Sequence, residues 1–162
     1  MASLSDPLVR EMLNDRYIAS LATENPDGSI HQVAVWYAFS EGQIYVATIS
    51  RSKKAQNVAE RGKASLMVDS REVLASRGAC VIGRAELLRH AEARQWNRLV
   101  HEKYMSAAAM KDPRVGPVFD SEDACVRITP EKVIAWDVRD FDNAAMGGAL
   151  CGTPGYLLPL SV

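Results

Sequence analysis

One ten-residue stretch concentrates the side chains best suited to chemistry. Thr48-Ile-Ser-Arg-Ser-Lys-Lys-Ala-Gln-Asn57 sets three hydroxyls (Thr48, Ser50, Ser52) and three cations (Arg51, Lys53, Lys54) within seven residues. This mixture suits a phosphate. The hydroxyls donate hydrogen bonds and the cations donate charge-assisted ones. A helix that starts just after them adds free N–H groups and a positive dipole end. A solvated, basic helix start capped by Ser50 or Ser52 accounts for the same residues. The stretch alone leaves both readings open.

Other chemistry is poorly served. His31, His90 and His101 fall at a strand start and along a helix, and no Gly-x-Ser-x-Gly elbow accompanies them. Cys80, Cys125 and Cys151 are odd in number and far apart, so neither a metal quartet nor a disulfide framework is expected. No glycine-rich nucleotide loop occurs. Glu11, Asp27, Asp69 and Asp137 have no spacing that marks a catalytic pair. A local anion site without an acid–base engine points to a bound cofactor that supplies the reactivity.

The totals agree. At 162 residues, 48% apolar and 24% charged, the chain has the size and composition of one soluble domain with a proper core. A net charge of −1 gives no general attraction to nucleic acid or acidic membranes. The N-terminus has no basic-then-apolar leader, and no apolar run reaches membrane-spanning length. With its cysteine usage, this predicts a cytoplasmic protein.

The elements that must hold the stretch are legible in outline. Asp6-Pro7 starts a short helix to about Asn14. Tyr17 to Thr23 reads as a strand, Asn25-Pro-Asp-Gly28 as a turn, Ile30 to Phe39 as a second strand and Gln43 to Thr48 as a third, giving an antiparallel meander. Lys54 to Glu60 reads as helix, stopped by Gly62. Lys63 to Asp69 and Gly78 to Leu88 are further strands around a polar 70–77 loop, with Gly83 marking a bulge or bend. Ala91 to about Met105 is helical, with Ala91, Trp96, Leu99, Val100 and Tyr104 as its inner stripe. Asp112-Pro113 starts a possible short helix through Phe119. Asp123 to Thr129 and Val133 to Val138 read as two strands joined at Pro130-Glu-Lys132. The Gly/Pro-rich tail from Arg139 reads as extended. Short strand connections exclude a parallel sheet. The expected fold is mainly β, an antiparallel barrel with flanking helices, as a single domain over 1–140 followed by a 141–162 tail.

The pieces together resemble a known family. Leu21-Ala-Thr-Glu-Asn-Pro-Asp-Gly-Ser-Ile-His-Gln-Val-Ala-Val-Trp-Tyr37 is similar to the opening of the pyridoxamine-phosphate-oxidase-like split β-barrel family. Thr48 to Asn57 resembles its phosphate stretch, Gly83-Arg-Ala-Glu-Leu87 its Gly-x-Ala-x-Leu bend, and Arg127 to Asp137 the closing hairpin of its deazaflavin branch.

The resemblance implies a homodimeric split barrel with two cofactor sites at the subunit interface. The cofactor would be F420, or alternatively flavin mononucleotide (FMN). Gln32, Val33, Ala34, Val35 and Trp36 would lie along its ring, partly through backbone. Ala47 and Thr48 would approach its ribityl chain and phosphate. Lys53 and Lys54 would grip the phosphate, with Ser50, Arg51 and Asn57 in support, and Trp136 would come from the closing hairpin. Core or dimer packing is the plainer role for Trp36 and Trp136, and a solvated helix face for Gln56 and Asn57. The implied activity is hydride transfer from reduced deazaflavin to a small-molecule acceptor. An FMN enzyme of the same fold and a non-catalytic cofactor-, haem- or tetrapyrrole-binding protein are the alternatives. Lys53-Lys54 stands where pyridoxamine-phosphate oxidases usually carry Arg-Lys, and the tail lacks that family's substrate arginines, so vitamin B6 oxidation is not expected.

Overall fold

Asp6 caps the first helix, α1 (Pro7–Asn14), by accepting a hydrogen bond from the Leu8 N–H at 3.0 Å, and Pro7 occupies the first turn. Val9, Met12 and Leu13 share the inner face and are fully buried. A computed structural model describes residues 2–70 and 76–158 of the chain, so most of the expected 70–77 loop lies outside the described residues. After α1 the chain runs β1 (Ala19–Glu24), β2 (Ile30–Val35), β3 (Ala38–Ser40), β4 (Gln43–Thr48), α2 (Lys53–Arg61), β5 (Lys63–Asp69) and β6 (Arg77–Arg89). It continues with α3 (His90–Tyr104), α4 (Ala107–Lys111), α5 (Gly116–Asp120), β7 (Ala124–Asp137), α6 (Val138–Met146) and α7 (Ala149–Gly152).

The seven strands form one antiparallel sheet in the order β2-β1-β5-β6-β7-β4-β3. Its two edges, β2 and β3, are separated in the chain only by Trp36 and Tyr37. A seven-stranded sheet whose edges lie two residues apart must curl round, and the result is split-barrel-like rather than a hydrogen-bonded closed barrel. The single strand expected over Ile30 to Phe39 is therefore two strands. Tyr37 pins the crossing point: it is fully buried and its hydroxyl donates to Met12 O at 2.6 Å. Leu21, Val46, Leu66, Val81, Val126 and Ile128 fill the interior together with the inner face of α1.

Strand β7 corrects a second expectation. Pro130-Glu-Lys132 is no turn, and one strand runs through it. Ile82 pairs with Lys132 and Gly83 with Pro130, which leaves Glu131 as the extra residue of a bulge. The bulge absorbs a proline that lacks an N–H for the ladder. Gly83 marks the place, because a Cβ there would lie 2.0 Å from Thr129 O.

Helix α3 buries Ala93, Asn97, Val100 and His101, whereas Ala91 is exposed. Two polar residues thus replace part of the expected apolar stripe. They are tolerated because Asn97 Nδ2 donates to Glu122 O and Ala124 O, and His101 pairs with the Glu122 carboxylate. Trp96 stacks on Tyr45 with ring centroids 3.9 Å apart. The short helix expected from Asp112 begins instead at Gly116, and α4 precedes it.

The tail is helical where an extended segment was expected. Its glycines act as stops: Gly147 and Gly148 both adopt left-handed backbone between α6 and α7. The Asp142 carboxylate, 1% exposed, joins the two helices by accepting from Leu150 N at 2.9 Å and Cys151 N at 2.8 Å.

Candidate functional site

Strand β4 delivers Thr48 to the start of α2. Ser52 caps that helix, its hydroxyl accepting from Ala55 N at 3.3 Å. Thr48 Oγ1 lies 2.9 Å from Ser52 Oγ, so two hydroxyls meet beside the free N–H groups of the first turn. Lys54 is half-buried here. Burial lowers its pKa from the ordinary lysine value, and the nearby Glu122 carboxylate opposes that shift. Arg51 and Lys53 are exposed. Lys53 lies near Asp27 in the β1–β2 turn, and its charge helps to lower the Asp27 pKa, after the hydrogen bonds from Ser29.

Two residues of the stretch are engaged inside the protein. Ser50 donates through N to Asp123 Oδ1 at 2.7 Å and through Oγ to Asp123 Oδ2 at 2.6 Å, and these bonds lower the Asp123 pKa. Asn57 is buried, its Nδ2 donating to Thr23 Oγ1 at 3.1 Å and to Asn25 Oδ1 at 2.8 Å. It ties α2 to β1 and the turn after it. Gln56 is exposed and donates to Arg51 O at 3.4 Å. Asp123 and Glu122 were not foreseen at this site. No local pattern announces them, because they lie just before β7, some seventy residues on, and reach this site only through the β4–β7 pairing.

The remaining sequence-selected residues separate by face. In β2, Gln32 and Ala34 point outward, whereas Val33 and Val35 turn toward the core. Registers carry the outer face across five strands, in one row Ala34, Ser20, Met67, Cys80 and Ile134, and in the next Gln32, Ala22, Ser65, Ile82 and Lys132. Small side chains dominate its middle, with Ile82 and Ile134 exposed. Trp136 belongs to the same face: its ring packs on Gly78, where a Cβ would meet it at 2.3 Å. Trp36 is elsewhere, stacked on Tyr104 at 5.0 Å and Phe119 at 5.8 Å. Ala47 is half-buried against the second hydrophobic cluster. Thr48 pairs with Ala124 at the start of β7, and Trp136 lies twelve residues further on, roughly 40 Å along the strand at about 3.3 Å per residue.

A cavity of about 660 Å³ opens between α3, α4 and α5. None of the sequence-selected residues lines it. Asn97, His101 and Glu122 do, and His101 Nε2 lies 2.7 Å from Glu122 Oε2. The i, i+4 spacing of Asn97 and His101, which puts both on one helix face, was the available signal. Cys125 is buried, and burial pushes its thiol up to about 12, which removes it as a nucleophile. Among the described residues no group of three or more His, Cys, Asp or Glu could hold a metal ion, and no helix is long and apolar enough to cross a membrane.

Solved structures share this architecture. The conserved hypothetical protein Rv2991 from Mycobacterium tuberculosis is 26% identical, with a TM-score of 0.71 over 99% of this chain and 92% of its own. An F420 reductase is 16% identical, with a TM-score of 0.61 over 77% and 94%. An FAD-binding protein from Mesorhizobium loti is 20% identical, with a TM-score of 0.61 over 85% and 95%. No curated protein matches the sequence. The sequence pattern of pyridoxamine 5'-phosphate oxidase matches residues 5–137, the whole seven-stranded sheet with α1 to α5, and the chain belongs to that family.

Proposed function

We propose that the protein is an oxidoreductase that binds F420 and passes a hydride from its reduced form to a small-molecule acceptor. The observation that carries this reading is the junction of β4 and α2. A half-buried lysine, two touching hydroxyls and a helix N-terminus converge there within seven residues. That donor set fits a phosphate, and the small-residue outer face fits a flat ring system. When bound, such a cofactor supplies the hydride. The chain's own work is to bind, orient and exclude water. Lys54, with Arg51 and Lys53 outside it, neutralises the phosphate. Thr48 and Ser52 donate to it once their mutual hydrogen bond is exchanged. Asn57 holds α2 at the right height, and Asp123 holds Ser50.

The site is proposed to be completed by a second copy of the chain. Lys54 lies near Glu122, just before β7, and Trp136 lies near the strand's other end. Ile82 and Ile134 are 38% and 41% exposed on the outer face, and burying them on a partner gains hydrophobic free energy. Free Cys80, Cys125 and Cys151 suit a reducing cytoplasm.

FMN binding by the same clamp is the second reading, favoured by membership of the pyridoxamine 5'-phosphate oxidase family. Titration of the purified protein with F420 and with FMN, read by cofactor fluorescence, separates the two. Saturable F420 binding followed by oxidation of reduced F420 with an added acceptor is the expected result. Binding of FMN alone moves the assignment to the flavin. Failure of both to bind at high micromolar concentration removes the oxidoreductase reading.

A further inference from the structure

The geometry points to a second small-molecule site in the 660 Å³ cavity between α3, α4 and α5, taking a neutral, largely aromatic molecule that carries an N–H or O–H donor. A volume of this size is typical of ligand pockets.

The first support is an orphaned acceptor. Asn97 lines the cavity and is 3% exposed. Its Nδ2 donates to Glu122 O at 3.1 Å and to Ala124 O at 3.0 Å, which uses both amide hydrogens. The reverse placement of the amide would set an oxygen against two carbonyls, so the assignment is chemically determined. Oδ1 is then buried with no hydrogen-bond partner. Such atoms are rare in native proteins and call for a donor. Oδ1 is closed to solvent in this structure, so a ligand N–H or O–H supplies the donor once the cavity wall shifts to uncover it.

The second support is the lining. Met105, Met110 and Phe119 form apolar walls, and thioethers adapt readily to flat rings. The charges at the rim cancel: Arg94, Arg98 and Lys111 stand against Glu102, Asp120 and Glu122. Arg98 is already paired with Glu102 at 2.7 Å and His101 with Glu122. This balance selects against an ionic ligand, in contrast to the cationic α2 stretch, with which the cavity shares Glu122. The outer wall is built of α4 and α5, five residues each, in which Gly116 is the one buried residue. Short helices with so little buried surface yield easily to an entering molecule.

Indole and 1-methylindole are suitable probes, because they differ in the N–H donor. In the full-length protein, indole should bind saturably and shift the NMR signals of the Asn97 side-chain amide and the His101 ring. 1-Methylindole should bind about tenfold more weakly, the equivalent of one lost hydrogen bond. Ala107→Trp, at an exposed rim position, should weaken indole by about tenfold or more while leaving F420 and FMN titrations unchanged. Met110→Trp fills the cavity from another wall if Ala107→Trp does not fold. No saturable shift up to the solubility limit of indole overturns the site. Equal affinity for the two probes overturns the role of Asn97, and indole binding that survives both fillings places the probe elsewhere. None of these readouts needs a bound cofactor, so failure of the oxidoreductase reading leaves this test standing.

Discussion

Lys54 is the residue on which the proposed phosphate clamp depends. Lys54→Ala should weaken F420 or FMN binding by about 1.5–3 kcal/mol, the range for a charged hydrogen bond, and isothermal titration measures it directly. Its lowered pKa gives a pH signature. The ammonium is charged below that pKa, so binding through the proposed clamp should weaken as pH rises through it, earlier than for an exposed lysine. Lys54→Arg, which stays charged, should flatten the dependence up to about pH 10. Lys103 makes a similar point about stability. Its ammonium donates to Leu13 O at 3.0 Å and sits 3.7 Å over the Tyr37 ring, and burial lowers its pKa to about 8. The unfolded chain keeps that proton to about pH 10.4, so between the two values the unfolded state binds more protons and stability rises with pH. The raised Cys125 thiol acts in the opposite direction above about pH 8.5, so the Lys103 contribution is read as the difference in the pH dependence of urea stability between wild type and Lys103→Met, with the wild type gaining relative to the variant across the window.

At the scale of elements, the β6–β7 bulge and the α2 cap are the sensitive points. Gly83→Ala drives a methyl into Thr129 O and should cost about 3 kcal/mol or more, read as a fall in the denaturation midpoint. Ser52→Ala removes the α2 cap and should cost about 1 kcal/mol. Both positions were legible in the sequence, because a mid-strand glycine and a serine before a basic helix carry local signals. The α1, α2 and hairpin boundaries were legible for the same reason: capping and turn residues act over a few positions. What escaped was set by distant partners. Ile30 to Phe39 alternates like one strand, and only the buried Tyr37 hydroxyl bonded to α1 shows where it breaks. Pro130 looks like a turn until Gly83 is placed opposite it. Asn97 lies outside the expected inner stripe, and its burial makes sense only once the Glu122 and Ala124 carbonyls meet it. The glycines of the tail looked like breakers of structure, and Asp142 makes them helix stops. At the site, the run of hydroxyls and cations behind the proposed clamp was readable, but the Asp123 carboxylate that engages Ser50 was not.

At the scale of the whole molecule, the outer sheet face is the proposed interface between two copies of the chain. Ile134→Glu places a charge among Met67, Cys80 and Ile82. Sedimentation of the wild type should give a dimer, and the variant should sediment as a folded monomer with cofactor affinity reduced, since each site is proposed to draw on both copies. A wild type that sediments as a monomer would remove the shared site. The junction at Trp36 and Tyr37 has a different consequence. It makes one bent segment out of both sheet edges, with β3 only three residues long. A proteolytic nick there would untie the two edges from each other, leaving each held by a single ladder, β2 to β1 and β3 to β4. The buried Tyr37 side chain and the stacked Trp36 ring fasten that junction to α1 and α3, so the two edges are held in place by side chains where no ladder joins them.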